Sequence, residues 1–216
     1  LIAQGNGHSA HHQAVLAEHL ASHGFVVATS PSQVRLGDGM ESEKDVPASA
    51  RQQARDLALV ATEVRKQPFV AAGPIAFVAH SFGARSALLA ALDEPGTAAL
   101  VSLDGGIGSA TAADWLDSET TRRLPGACFP VLHVYEEQDA FMAPSFTTLE
   151  AMTTSDRYLV RVDGLHHRQF TSLGWAAATI PGLDEADART GLRCDAVARL
   201  VQRFLATTVG GQPTVD

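Results

Sequence analysis

Phe77-Val78-Ala79-His80-Ser81-Phe82-Gly83-Ala84-Arg85-Ser86 is the stretch from which the chain is read. The apolar run Ile75 to Val78 meets a small residue, Ala79, then His-Ser-Phe-Gly, then an Ala/Leu-rich segment with no breaker before Pro95. That order predicts a strand, a tight turn and a helix, with a serine at the apex. It differs at one position from G-x-S-x-G, the pattern in which a strained turn lifts a serine Oγ clear of a sheet. Both flanking positions must be small because strand and helix nearly touch there. Gly83 fills the second, and Ala79 stands at the first, one methyl larger than glycine. The plainer alternative is that Ser81 caps the helix beginning near Phe82, since serine is a favoured N-cap. The two readings part on whether neighbouring strand ends supply a base, an acid and an oxyanion hole.

Working outward, Leu1 to Gln4 reads as a strand ended by the turn Gly5-Asn6-Gly7. A helical pattern starts at Ser9, with Ala14, Val15, Ala17, Leu20 and Ala21 on one face, and Gly24 stops it. Phe25 to Ala28 is expected as a buried strand, residues 30–47 as a long loop, and Arg51 to Lys66 as an amphipathic helix. Beyond the strand 74–79 and helix 82–93, further strands are expected at 98–103, 129–135 and 157–162. Short helices are expected near 112–116 and 145–153. A long irregular segment then leads to a closing helix, Cys194 to Leu205. Strands that are nearly continuous apolar runs and alternate with helices predict an α/β fold: a mostly parallel sheet of six strands with helices on both faces. No repeat or linker interrupts it, so residues 1–216 are expected to form one domain.

Hydrophobic residues make up 45% and charged ones 19%, an ordinary balance for a soluble globular chain. A net charge of −8 argues against nucleic acid or an anionic membrane surface as the main partner. No apolar run is long enough to span a membrane as a helix. Cys128 and Cys194 are too few for a disulfide framework and lack metal-ligand spacing, and whether they form one bridge cannot be read from the sequence. The chain starts at Leu1 without Met or signal peptide, and "LIAQG" reads as a strand already under way. A trimmed or processed piece is therefore expected, and the compartment, cytoplasmic or secreted, stays open.

In open parallel sheets, ligands bind beyond the carboxyl ends of the strands. Asn6, Ser81, Asp104, Asp139 and His167 all follow such ends. Ser81 is the candidate nucleophile, and its hydroxyl needs an adjacent base to remove its proton. His166 and His167 both stand where that base belongs. Asp104 and Asp139 both stand where an acid could hold the imidazole. The backbone N–H of Phe82 and that of Asn6 are the candidate oxyanion donors, with an ordinary turn as the plain reading of Gly5-Asn6-Gly7. His80 is expected to pack beside the turn. The cluster His8, His11, His12 has no evident carboxylate or cysteine partner and reads as solvated, not as a metal site.

The motifs "QGNG", "LAEHLASHGFVVAT", "FVAHSFGARSALLAAL", "ALVSLDGG", "PVLHVYEEQDAFMAP" and "VDGLHHRQF" together make the chain resemble an α/β-hydrolase. More narrowly, it resembles the branch of platelet-activating-factor acetylhydrolases, chlorophyllases and related polyester-degrading cutinases. The resemblance implies Ser81 as nucleophile, Phe82 and Asn6 as oxyanion donors and, through "GLHHRQF", His167 over His166 as base. For the acid it divides. The acetylhydrolase and chlorophyllase patterns imply Asp104, the cutinase-like pattern implies Asp139, and Asp104 is favoured by the match around His167. Ala79 for glycine and Gln4 for histidine are the departures. The implied activity is serine carboxylic-ester hydrolysis through an acyl-enzyme, on a small-molecule or lipid-like ester, with no metal or cofactor. Walls of an apolar pocket are expected from loop 30–47, the stretch 105–118 with Trp115, and the segment 168–189 with Phe170 and Trp175, with a place in the core as the equal alternative for each aromatic. The rivals are a dienelactone hydrolase or thioesterase on the same scaffold, and a catalytically silent binding protein.

Overall fold

The computed structural model describes residues 1–30, 46–110 and 115–210. Among them, six strands form one sheet: β1 (Ile2–Ala3), β2 (Thr29–Ser30), β3 (Ile75–His80), β4 (Thr97–Leu103), β5 (Val131–Tyr135) and β6 (Arg157–Arg161). Their order is β2-β1-β3-β4-β5-β6, and every pairing is parallel. Helices α1 (Ala14–Ser22), α2 (Val46–Arg65), α3 (Gly83–Asp93), α4 (Ser118–Arg123), α5 (Thr147–Glu150), α6 (Ser172–Thr179) and α7 (Thr190–Gly210) cover it.

Side chains alternate across each strand, so the sheet divides the core in two. Phe77, Ala79 and Leu100 face one way and pack with Ala54 and Leu57 of α2 and Ala87 and Leu88 of α3. Val78, Val101, Leu132 and Val134 face the other and pack with Leu16 and Leu20 of α1 and Val197, Val201 and Leu205 of α7. With both faces buried, apolar runs rather than alternation are what the sequence had to carry.

Four expectations are corrected. The second strand is not Phe25 to Ala28 but Thr29–Ser30, paired with Ile2–Ala3. Val26 is 46% exposed, so that apolar run lies outside the ladder. The register is set by Thr29, whose hydroxyl donates to Ile2 O (3.1 Å) and accepts from Gln4 Nε2 (2.7 Å). The helix expected from Arg51 begins at Val46, because Pro47 is tolerated in a first turn and Val46 and Ala50 are buried. The segment read as irregular holds α6, capped by Thr171, whose side chain accepts from Leu173 N–H (3.2 Å). Gly174 hides this helix from a sequence reading. It is there because a Cβ would stand 2.6 Å from Cys194 Sγ. The closing helix is correspondingly longer than Cys194 to Leu205. Residues 31–45 of the expected long loop, and residues 111–114 of the helix expected near Ala112, lie outside the described residues. Cys128 is exposed, Cys194 is buried, and both are free. No helix among the described residues is long and apolar enough to cross a membrane.

Candidate active site

The sheet register brings the carboxyl ends of β3, β4 and β5 level. Leu103 pairs with His80 on one side and Val134 on the other, which sets Ser81 beside Asp104. Ser81 N–H donates to Leu103 O (3.2 Å), Gly106 N–H to Ser81 O (2.8 Å), and Asp104 N–H to Val134 O (2.6 Å). Ser81 has φ 55° and Asp104 φ 41°, the two non-glycine residues in left-handed backbone among those described. Such a conformation is costly for residues with a Cβ and persists where the surroundings over-determine it. Here those surroundings include the close passage of the start of α3 over β1: a Cβ on Gly83 would stand 2.4 Å from Ala3 O. Ser81 does not cap α3. The cap position is Phe82, and no side-chain cap hydrogen bond is made.

Ser81 Oγ lies 2.8 Å from His167 Nε2, and His167 Nδ1 lies 2.5 Å from Asp104 Oδ2. Asp104 is 2% and His167 6% exposed, so the pair is shielded from water. Asp139 does not reach the His167 ring. Its Oδ2 accepts the His167 main-chain N–H (2.7 Å), and its Oδ1 lies 3.3 Å from His166 Nδ1. The two contested aspartates therefore stand on different parts of one histidine. His166 turns away to Asp139 and Glu185.

His80 packs beside the turn, as expected, and is fully buried. Its Nε2 lies 3.0 Å from His167 O, and because a carbonyl only accepts, the His80 proton sits on Nε2. Burial pushes the His80 pKa well below the ordinary value, and the neighbouring His167 charge pushes it further. The His8 and His12 rings stack face to face at 4.0 Å, and His8 stacks on His80 at 5.4 Å. His8 and His12 are packed, partly buried rings, a correction to the solvated reading, which holds for the exposed His11; burial lowers His8 to about 4. Among the described residues, no group of three or more His, Cys, Asp or Glu is placed to hold a metal ion.

Of the candidate oxyanion donors, Phe82 is buried at the start of α3, and Asn6 lies in an exposed turn closed by His8 N–H to Gly5 O (3.1 Å). A Cβ on Gly5 would stand 3.2 Å from Ser81 Cβ and 3.0 Å from His80 Nδ1, so a larger residue would press this turn against the serine and His80.

No protein-family model matches the chain, and no curated protein matches it in sequence. Solved structures do. A dienelactone hydrolase from Anabaena variabilis is 19% identical, with a TM-score of 0.65 over 96% of this chain and 85% of that one. A ferulic acid esterase from Streptomyces cinnamoneus is 20% identical, with a TM-score of 0.67 over 99% of this chain and 67% of that one. The chain has the α/β-hydrolase fold.

Within that hydrolase fold, the expected pocket walls are redistributed. Phe170 and Trp115 are buried core residues, and Trp175 donates its indole N–H to Asp195 (2.8 Å). The aromatic that does reach the site is Phe141, 66% exposed, its ring edge-on to His167 with centroids 5.0 Å apart. A cavity of about 370 Å³ is lined by His8, His12, Arg168 and Leu173 among others, and by none of Ser81, His167 or Phe141. A second, of about 380 Å³, lies at the amino ends of β1 and β3, away from Ser81. Glu136, which the sequence reading did not single out, also supports the site. It is fully buried, and its carboxylate accepts the main-chain N–H groups of Gln138 and Asp139. Burial raises its pKa above the ordinary carboxylate range, with Asp104 and Asp139 adding to the rise. Its adjacency to the end of β5 was the available signal.

Proposed function

We propose that the protein is a serine carboxylic-ester hydrolase in which Ser81, His167 and Asp104 form the catalytic triad. The observation that carries this reading is the hydrogen-bonded series Asp104–His167–Ser81, ending on a serine held at φ 55°. Asp104 holds the proton on His167 Nδ1, leaving the Nε2 lone pair for the Ser81 hydroxyl. As Oγ attacks the ester carbonyl, His167 takes its proton, then returns it to the leaving alkoxide. Water, deprotonated by the same nitrogen, releases the acid from the acyl-enzyme. The Phe82 and Asn6 amides are the donors to the tetrahedral oxyanion, a role typically worth 10²–10³ in kcat for one donor. His80 stays uncharged beside the transient imidazolium because its burial disfavours protonation. Phe141 offers an apolar face at the mouth for the acyl or alcohol group, which suits a small-molecule or lipid-like ester.

Turnover of p-nitrophenyl acetate tests the reading. The wild type is expected to hydrolyse it and Ser81→Ala to fall to the background rate. An inactive, folded wild type sinks the enzyme, and equal turnover in Ser81→Ala removes the serine from it. A dienelactone-hydrolase-like or thioesterase-like activity would use the same residues. The fold likeness to the Anabaena enzyme favours carrying it as a second reading. Relative kcat/KM on matched oxygen esters, thioesters and lactones separates the two.

A further inference from the structure

Every polar atom of His167 is engaged. Its ring nitrogens meet Asp104 and Ser81, its carbonyl accepts from His80 Nε2 (3.0 Å), and its main-chain N–H donates to Asp139 Oδ2 (2.7 Å). Ester hydrolysis at Ser81 accounts for the ring contacts but gives Asp139 no part. We propose that Asp139 is a positioning residue: its carboxylate clamps the main chain of His167 and so sets the pitch of the imidazole between Asp104 and Ser81. This rests on the triad reading and adds to it a task for the second aspartate.

The need for a clamp follows from where His167 sits. β6 ends at Arg161, and the connection reaches His167 at the start of a single 3-10 turn, His167–Phe170, beyond any ladder hydrogen bond. A connection without sheet pairing has little to fix its backbone. His80 holds the carbonyl that follows the Cα, and Asp139 holds the amide that precedes it. Together they define the direction of the Cα–Cβ bond, and with it the arc on which the ring can lie. Misplacing a reacting group by about 1 Å can cost about 10² in rate.

Asp139 is fit for this because it is itself fixed. Its N–H donates to both Glu136 carboxylate oxygens (3.2 and 3.0 Å), and its carbonyl accepts from Met142 N–H (2.9 Å). Glu136 N–H in turn approaches Asp104 Oδ1 (3.4 Å), so the groups that hold the ring and the main chain of His167 share one buried support. The same turn places Phe141 at the edge of the imidazole.

A clamp of this kind needs an acceptor oxygen and not a charge, whereas the partner of Nδ1 needs the charge. The Asp139 and Asp104 variants are therefore expected to behave differently. The full chain is examined without substrate by proton NMR for the far-downfield Nδ1–H resonance of His167, and with p-nitrophenyl acetate for kcat and KM. Asp139→Ala is expected to broaden or shift the resonance and to lower kcat about 10–100-fold with KM little changed. Asp139→Asn, which keeps an acceptor, should rescue the resonance and bring kcat to within about threefold of wild type. Asp104→Asn should lose the resonance and about 10⁴ in kcat. A wild-type resonance and kcat in Asp139→Ala overturns the proposal, and so does an Asp139→Asn as impaired as Asp139→Ala. Should Asp139→Ala fail to fold, Asp139→Ser, whose hydroxyl ends one bond short, takes its place. If no ester is turned over, the esterase reading falls, and the resonance alone decides on the clamp.

Discussion

Ser81 and Asp104 share an unusual feature, a positive φ on a residue with a Cβ, and both directly follow strands that pair with each other. The backbone turns there at a cost in order to present a hydroxyl and a carboxylate to one imidazole. At this scale the account separates two aspartates that are alike in sequence. Asp104→Asn is expected to lower kcat about 10⁴-fold through the wrong histidine tautomer, with thermal stability close to wild type. Asp139→Asn should lose far less, as steady-state kinetics on the two variants would show. The serine was legible from its strand–turn–helix pattern, whereas strand-end position left His166 and His167 equal and only the resemblance of "GLHHRQF" pointed to His167. The division of labour between Asp104 and Asp139 was not. It depends on which atoms of His167 each carboxylate meets, and strand-end position is silent about the three-dimensional path of the segment between β6 and His167.

Among the elements, the tightest constraint is the crossing of β1 under the start of α3. Gly83 is within reach of two carbonyls at the carboxyl end of β1: an added Cβ would stand 2.4 Å from Ala3 O and 2.6 Å from Gln4 O, just past the strand. Backbone atoms cannot step aside as side chains do, so Gly83→Ala should cost on the order of 1–3 kcal/mol of stability, read from urea unfolding. It should also displace Ser81 and lower kcat. A variant with wild-type stability would show that the strand and helix are less closely pressed. The larger elements were readable because β3, β4, α2 and α7 carry long apolar patterns. β2 was misplaced because two residues suffice for its ladder, and their side chains, Thr29 and Ser30, signal a turn. α6 was missed because the glycine that lets it pack on α7 looks like a breaker.

For the molecule as a whole, buried neutral histidines set a limit on acid tolerance. His133 lies between the sheet and Phe146, its Nδ1 2.9 Å from Ser102 Oγ, and burial lowers its pKa from 6.5 to about 4. His80 is lowered for the same reason. Between pH 6.5 and 4 the unfolded chain binds protons that the folded chain excludes. The stability these groups contribute is full above that window and declines as pH falls through it. For His133 alone the difference corresponds to roughly 3 kcal/mol below both pKa values. Tm should accordingly drop from about pH 7.5 to about pH 4.5. In His133→Gln the decline should be shallower, even though Tm at neutral pH is lower. An equal slope in the two proteins would contradict this source of acid sensitivity. Apolar runs alternating with helical patterns predicted a parallel sheet buried on both faces, and they could not say which histidines would be sealed inside.

If Ser81 is a nucleophile activated by His167, a fluorophosphonate will label it, and this requires no knowledge of the substrate. Intact-mass and peptide analysis of the treated protein should find a single adduct on Ser81, formed slowly or not at all in Asp104→Asn and absent in Ser81→Ala. A folded wild type that stays unmodified, or an adduct that persists in Ser81→Ala, would contradict the account.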